Sequence, residues 1–165
     1  MPIRWMSEKD ACEFLAAGTV GRLATCDEAG QPYVISLNYV YCEGKIYFHS
    51  KLTGRKLDNL AQNNRVCFEV SETIKITSPD DLPCACATRY ASVVAFGTAR
   101  ILADNTEKAA ALNQLVEKYE TKPYAAVDEQ HAAGCAVVEI RIDKITGKRN
   151  VDPEEAARKS TPSEK

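Results

Sequence analysis

The sequence predicts a mainly β protein, a small antiparallel barrel with helices packed around it, and three observations carry that reading. Short apolar runs recur along the chain and are divided by compact turn signals such as Asp27-Glu28-Ala29-Gly30 and Cys42-Glu43-Gly44, the punctuation of consecutive hairpins. No run is followed by the long helical crossover that a parallel neighbour requires, so the pattern is a meander and not a βαβ array. Only three stretches have helical spacing. Rolling such a sheet onto itself removes its open edges, and the helices then cover the ends.

Taken in order, Ser7 can cap a first helix, with Asp10 three residues on as a capping-box analogue, and Ala11, Phe14, Leu15 and Ala16 give that helix an apolar side until Gly18 stops it. Thr19 to Cys26 reads as a strand, and Gln31 to Tyr41 as a second, long one. Ile46-Tyr47-Phe48 is the heart of a third. Lys51 to Gly54 breaks the pattern; Leu57, Leu60 and Ala61 then recur at helical spacing, and Asn63-Asn64 ends the segment. A fourth strand runs from Arg65 to about Ile76, with Ser78 to Pro83 a loop by composition. Arg89 to Leu102 is a strand long enough to bend, with Gly97 a bulge or a site of close approach. Asp104 or Asn105 caps a helix with an apolar face of Ala109, Leu112, Leu115, Val116 and Tyr119. A polar connection through Gln130-His131 leads to the last strand, Cys135 to Ile145. From Asp152 the chain is charged, with no apolar side chain larger than Ala. We therefore expect one domain over 1–150 and a mobile tail over 151–165.

Composition removes several function classes. With 165 residues, a formal net charge of −2 and a pI near 5.8, the chain lacks the basic face of a nucleic-acid binder. No apolar run reaches the ~20 residues of a membrane span, and MPIRWMSEKD has no apolar signal-peptide core, so a cytoplasmic location is expected. The seven cysteines are odd in number and scattered, which argues against a disulfide framework. Cys84 and Cys86 are one residue apart, not the two of common zinc sites, and His49 and His131 are the only histidines. No metal site is expected. Rossmann, P-loop, GxSxG and HExxH signatures are all absent from the sequence.

The chemistry gathers at Thr53-Gly54-Arg55-Lys56, where a helix begins. Its free N–H groups and the positive end of its dipole meet a guanidinium and an ammonium, a combination that suits a terminal phosphate. The competing reading is a solvated basic face on a surface helix. His49 has two readings as well: a strand-end side chain filling space, or a group that moves a proton.

Ile46-Tyr47-Phe48-His49, Thr53-Gly54-Arg55-Lys56 and Asn63-Asn64-Arg65-Val66, with QPYVISLNYVYCEGKIYFHS, RYASVVAFGTARI and ITGKR around them, resemble the pyridoxamine 5′-phosphate oxidase-like superfamily of FMN-binding split barrels. Within it the nitroimidazole-resistance (Nim) branch is the nearer likeness, over roughly residues 1–150. The resemblance implies a six-stranded split barrel that forms a homodimer with FMN at the interface. Position by position it implies that Arg55 and Lys56, beside Thr53, hold the phosphate. Val34, Ile35, Ser36, Leu37 and Asn38 would run beside the isoalloxazine ring and His49 and Ser50 would line it, with Tyr90 and Ser92 contributing across or beside the cofactor. The branch makes His49 the candidate catalytic residue, a proton donor or anion holder for reduction of a nitro-aromatic or similar acceptor. A non-catalytic flavin or haem carrier of the same fold is the alternative. The Arg-x-His signature of true pyridoxamine phosphate oxidases is missing from Glu139-Ile140-Arg141-Ile142-Asp143, which argues against that substrate. A two-fold partner is expected to cover an open face around Tyr39-Val40-Tyr41.

Overall fold

The computed structural model describes residues 4–77 and 87–150. Eight strands and four helices follow one another as β1 (Arg4–Trp5), α1 (Glu8–Ala17), β2 (Val20–Cys26), β3 (Pro32–Asn38), β4 (Val40–Cys42), β5 (Lys45–Ser50), α2 (Arg55–Gln62), β6 (Arg65–Thr77), β7 (Ala87–Ile101), α3 (Asn105–Tyr119), α4 (Glu129–Ala132) and β8 (Ala136–Arg149). All strand pairs are antiparallel, in the order β3-β2-β6-β7-β8-β5-β4, with the two-residue β1 added to β8.

That order fixes the shape. β3 and β4 are the two ends of the hydrogen-bonded path, yet a single residue, Tyr39, separates them in sequence. Two trans peptide steps span at most about 7.6 Å, so the sheet must curl until its ends nearly meet. The long strand expected over Gln31 to Tyr41 is therefore one strand broken at Tyr39, its first part pairing with β2 and its second with β5. Counted as one, it gives six main strands with the short β1 added. This is the split barrel the sequence anticipated.

Tyr39 marks the seam and is fully buried. Its backbone N–H donates to Tyr119 Oη at 3.0 Å, and the Tyr119 hydroxyl lies 2.7 Å from the Tyr39 carbonyl oxygen and 2.6 Å from that of Thr19. The Tyr39 hydroxyl donates to the Leu15 carbonyl at the end of α1, and burial raises its pKa. Lys118 donates to the Gly18 carbonyl at 2.6 Å and sits 4.4 Å from the centre of the Tyr39 ring. The open face expected around Tyr39-Val40-Tyr41 is thus covered by the chain's own α1 and α3, with Val40 and Tyr41 half-buried. Exposed apolar side chains lie elsewhere on the outer surface of the sheet. Val34, Ala24, Cys67 and Phe96 stand in register across β3, β2, β6 and β7, with Val34 60% and Phe96 47% exposed.

The main core fills the barrel with Leu23, Ile46, Phe48, Phe68, Val93 and Ile140, and α1 and α2 contribute Leu15, Leu57 and Leu60 to it. A second core under α3 joins Leu112 and Leu115 to Leu102 and Val137. Ser7 caps α1 through the Asp10 N–H and Asp104 caps α3 through the Glu107 N–H, as their side chains suggest. The register of β7 on β8 shifts at Phe96/Gly97, so the bulge expected at Gly97 is present, with Asp143 the extra residue on β8. The 4-residue α4 stands in what reads as a polar connection; Asp128 caps it. The loop at Ser78–Pro83, the Cys84/Cys86 pair and the charged tail lie outside the described residues. Cys12, Cys26, Cys42, Cys67 and Cys135 are free thiols.

Glu139 is the one buried carboxylate among the described residues. Arg100 Nε at 2.8 Å, Lys45 Nζ at 3.0 Å and the Tyr47 hydroxyl at 2.9 Å surround it, and Arg100 also grips Glu107 of α3. Hydrogen bonds from Arg100 above all, against the effect of burial, hold its carboxyl at about 2, down from 4.5. A depressed folded-state value means stability that is complete above the unfolded pKa and lost as pH falls through the folded one. The urea midpoint should therefore drop between pH near 4.5 and pH near 2, and Glu139→Gln should lose that part of the drop.

Candidate functional site

The break at Tyr39 creates a wedge. Beyond it β3 is bonded only to β2, so its other backbone edge is unpaired by any described strand. On the opposite side, β4 covers Lys45–Tyr47 of β5 and leaves Phe48, His49 and Ser50 bonded only towards β8. The wedge opens away from Tyr39 towards Tyr33 on one arm and towards α2 on the other. The first turn of α2 spans that opening, because the Arg55 guanidinium lies 5.1 Å from the centre of the Tyr33 ring.

α2 is held there from within. Asn59 and Thr25 are both buried, and the Asn59 amide donates to Thr25 Oγ1 at 2.9 Å. Gln62 accepts from the Glu28 N–H, and Asn63 donates towards Cys26 Sγ at 3.0 Å. The helix buries Leu57, Asn59 and Leu60 and leaves Ala61 exposed. This corrects the apolar face expected from spacing: the amide goes inside because the β2–β3 hairpin offers it an acceptor.

The N-terminus of α2 has no side-chain cap. Gly54 takes the capping position with φ +136°, a conformation that favours glycine, and a Cβ there would meet nothing within 4 Å. The Leu57 N–H donates to the Gly54 carbonyl at 2.8 Å, which leaves the Arg55 and Lys56 N–H groups without a side-chain cap at the positive end of the dipole. Arg55 and Lys56 extend from the same turn. Among the described residues only one carboxylate pairs with either: Asp27, 3.8 Å from Arg55, in an exposed and weak contact. An oxyanion with several acceptor oxygens fits this place, because it can take backbone N–H groups and the guanidinium together.

The predicted residues divide into two groups. Val34 to Asn38 form the free-edged strand, His49 and Ser50 the facing strand end, and Thr53, Arg55 and Lys56 the closing turn, so all lie around one wedge. Along β3 the residues alternate: Val34, Ser36 and Asn38 are exposed, Ile35 and Leu37 half-buried. His49 is exposed. Tyr90 and Ser92 are elsewhere in the chain: Ser92 pairs with Lys148 of β8, whereas His49 pairs with Val137. Eleven positions of β8, a contour of about 36 Å, separate the two pairings. Asp27, Tyr33 and Asn59 are not among the site residues that the sequence pointed to. Tyr33 is the only one with a local signal, an aromatic near the start of the strand that follows the Asp27–Gly30 turn.

A family description of pyridoxamine 5′-phosphate oxidase matches residues 7–149. The chain belongs to the pyridoxamine 5′-phosphate oxidase family. Among solved structures, this family member superposes on a protein described as a 5-nitroimidazole antibiotic resistance protein of Bacteroides thetaiotaomicron, at TM-score 0.76 and 22% identity, covering 90% of this chain and 89% of that one. It also matches an FAD-binding protein of Mesorhizobium loti (TM-score 0.66, 27% identity, 92% and 100% covered) and an FAD- and heme-binding protein of Mycobacterium smegmatis (0.72, 16%, 95% and 80%). An uncharacterized protein of Rhizobium meliloti is 32% identical over 72 residues, which is 44% of this chain and 46% of that relative. The match thus spans about half the length of the curated relative. The pyridoxamine 5′-phosphate oxidase split barrel accounts for the antiparallel sheet and its few helices. Among the described residues no helix is long and apolar enough to cross a membrane.

Proposed function

We propose that this chain is an FMN-binding oxidoreductase that reduces a small acceptor such as a nitro-aromatic, and that it works as a homodimer. The observation that carries the reading is the uncapped first turn of α2, with Arg55 and Lys56, set across the open end of a wedge whose long side is an unpaired strand edge. Arg55, Lys56 and the helix N–H groups would hold the terminal phosphate, with Thr53 beside them. Backbone groups of Val34 to Asn38 would hydrogen-bond the polar edge of a flat ring, which makes side-chain identity there secondary. FMN, when bound, supplies reversible electron transfer; the protein supplies position, a hydrogen-bond field and exclusion of water. The row of Val34, Ala24, Cys67 and Phe96, exposed at its two ends and half-buried between them, offers an apolar surface for a second copy.

Two structural relatives are described as FAD-binding, so FAD is the direct competitor. The absorption spectrum of the purified protein, followed by titration with FMN, FAD and riboflavin, decides between them. FMN should bind most tightly and riboflavin far more weakly. Equal affinity for FMN and riboflavin contradicts a phosphate site at α2.

His49 separates enzyme from carrier. It stands on the facing arm of the wedge, exposed, five residues before Gly54. Its imidazole can give a proton to an acceptor while leaving the phosphate contacts intact. His49→Ala should slow reoxidation of the reduced, FMN-loaded protein by a nitro-aromatic by about 10²-fold, with FMN affinity nearly unchanged. His49→Gln, which cannot titrate, should restore little of the rate. Identical stopped-flow rates for all three proteins across pH would assign His49 to structure and leave a flavin carrier.

A further inference from the structure

The wedge has its apex at Tyr39, and what holds the apex is Tyr119, the last residue of α3. The β2–β3 ladder stops at the pair of Val20 with Asn38, and one further step would pair Thr19 with Tyr39. The Tyr119 hydroxyl stands between those two residues instead. It accepts from the Tyr39 N–H at 3.0 Å and lies 2.6 Å from the Thr19 carbonyl oxygen and 2.7 Å from that of Tyr39. A hydroxyl has one proton to give and two lone pairs to offer, so it serves both sides of an interrupted ladder as an inserted water would.

The parts around it are fixed. The Asn38 amide donates to the same Thr19 carbonyl at 3.1 Å, and Lys118 ties the end of α3 to the Gly18 carbonyl. The Tyr39 ring cannot slide along the seam. It is fully buried, meets Phe68 edge-on with ring centres 4.9 Å apart, and lies so close to Gly18 that a Cβ there would be 2.6 Å from its hydroxyl. The spacing between Thr19 and Tyr39 is thus left to one oxygen atom.

Backbone groups of an extended chain point alternately to its two edges. Tyr39 addresses β2 through Tyr119, so Val40 addresses β5, with which it pairs, and Asn38 addresses the wedge. Pro32, six residues before Asn38 and of the same parity, has no N–H to leave unpaired on that edge. Without the hydroxyl, Tyr39 can close onto Thr19 and lengthen the β2–β3 ladder by one pair. That closure draws Val40 away from Tyr47 and moves the apex, and the angle between the two arms moves with it.

We propose that Tyr119 is a positioning residue for the flavin ring, its hydroxyl a spacer that sets how far apart the arms of the wedge stand. It acts through Tyr39, from the side of that residue that faces β2. The role rests on the reading of the wedge as the flavin site.

Tyr119→Phe keeps the ring and its packing in the second core and removes only the oxygen. Affinities for FMN and riboflavin should fall by the same factor, about tenfold, as when a tenth of the molecules keep the binding-competent arrangement. The visible absorption band of the bound flavin should move towards that of free flavin. Loss of Arg55 and Lys56, by contrast, acts on FMN alone. Leu115→Ala opens a cavity under the same helix and should lower the urea midpoint more than Tyr119→Phe does. It should nevertheless leave both affinities and the band as in the native protein. Unchanged affinity in Tyr119→Phe, a loss confined to FMN, or an equal loss in Leu115→Ala would overturn the spacer role alone. A native protein that binds neither flavin would overturn the wedge as the flavin site and the spacer role with it.

Discussion

Replacing Arg55 and Lys56 together by alanine should weaken FMN binding by about 2–4 kcal/mol, on the order of 30- to 1000-fold, from the loss of two charge-assisted contacts. Riboflavin, which has no phosphate, should bind the variant and the native protein alike, and this contrast distinguishes loss of the phosphate contact from a disturbed helix. The fold tolerates the change because Arg55 is exposed, and its contact with Asp27 at 3.8 Å contributes little to stability. Asp27→Asn should act in the opposite direction and tighten FMN a few-fold, since it removes the carboxylate that competes for the guanidinium. Fluorescence titration of both ligands against the three proteins checks the set. An unchanged FMN affinity in the double variant places the cofactor somewhere other than α2.

The second large effect concerns Gly97 and is a matter of folding alone. A Cβ at Gly97 would lie 2.3 Å from the Arg141 carbonyl oxygen and 3.0 Å from Ile140 Cγ2. The first neighbour is backbone in the middle of the β7–β8 ladder and cannot swing aside. Gly97→Ala should therefore destabilise the protein by about 3 kcal/mol, at the upper end of overpacking effects, or force the bulge at Asp143 to rearrange. Urea unfolding measures the first outcome. Loss of the Thr98 hydroxyl to Asp143 hydrogen bond, 3.1 Å in the native protein, would report the second. A midpoint within error of the native one would mean that the ladder is not closely packed at this point.

How far the sequence foretold the site depended on whether the signal was local. Gly97 was legible because a glycine inside a long apolar strand has few other uses, and the caps at Ser7 and Asp104 because side chain and helix start lie within one turn of each other. The uncapped turn that opens α2 was legible for the same reason: glycine, arginine and lysine are consecutive. The break at Tyr39 was not. Nothing in Gln31 to Tyr41 departs from strand composition, and what interrupts the strand is a change of neighbour imposed by β5 and by Tyr119, which is 80 residues away. Asn59 was likewise misjudged, since helical spacing cannot know that Thr25 waits opposite it. Tyr90 and Ser92, which the family pattern sets across or beside the cofactor, lie away from the wedge within this chain.

The seam at Tyr39 also sets an order of events during synthesis. β2, β3, β4 and β5 can form hairpins as soon as they emerge, since each pairs with a near neighbour in sequence. The two ends of the sheet come together only when β8 arrives to join β5 to β7, and the Tyr39 N–H finds its partner only when Tyr119 does. Until β8, roughly the last tenth of the described chain, has left the ribosome, the N-terminal half is an open ribbon with Phe48 and Phe68 not yet enclosed. Such a ribbon is the kind of intermediate on which chaperones act and from which aggregates grow. The vulnerable moment in the life of this protein precedes closure.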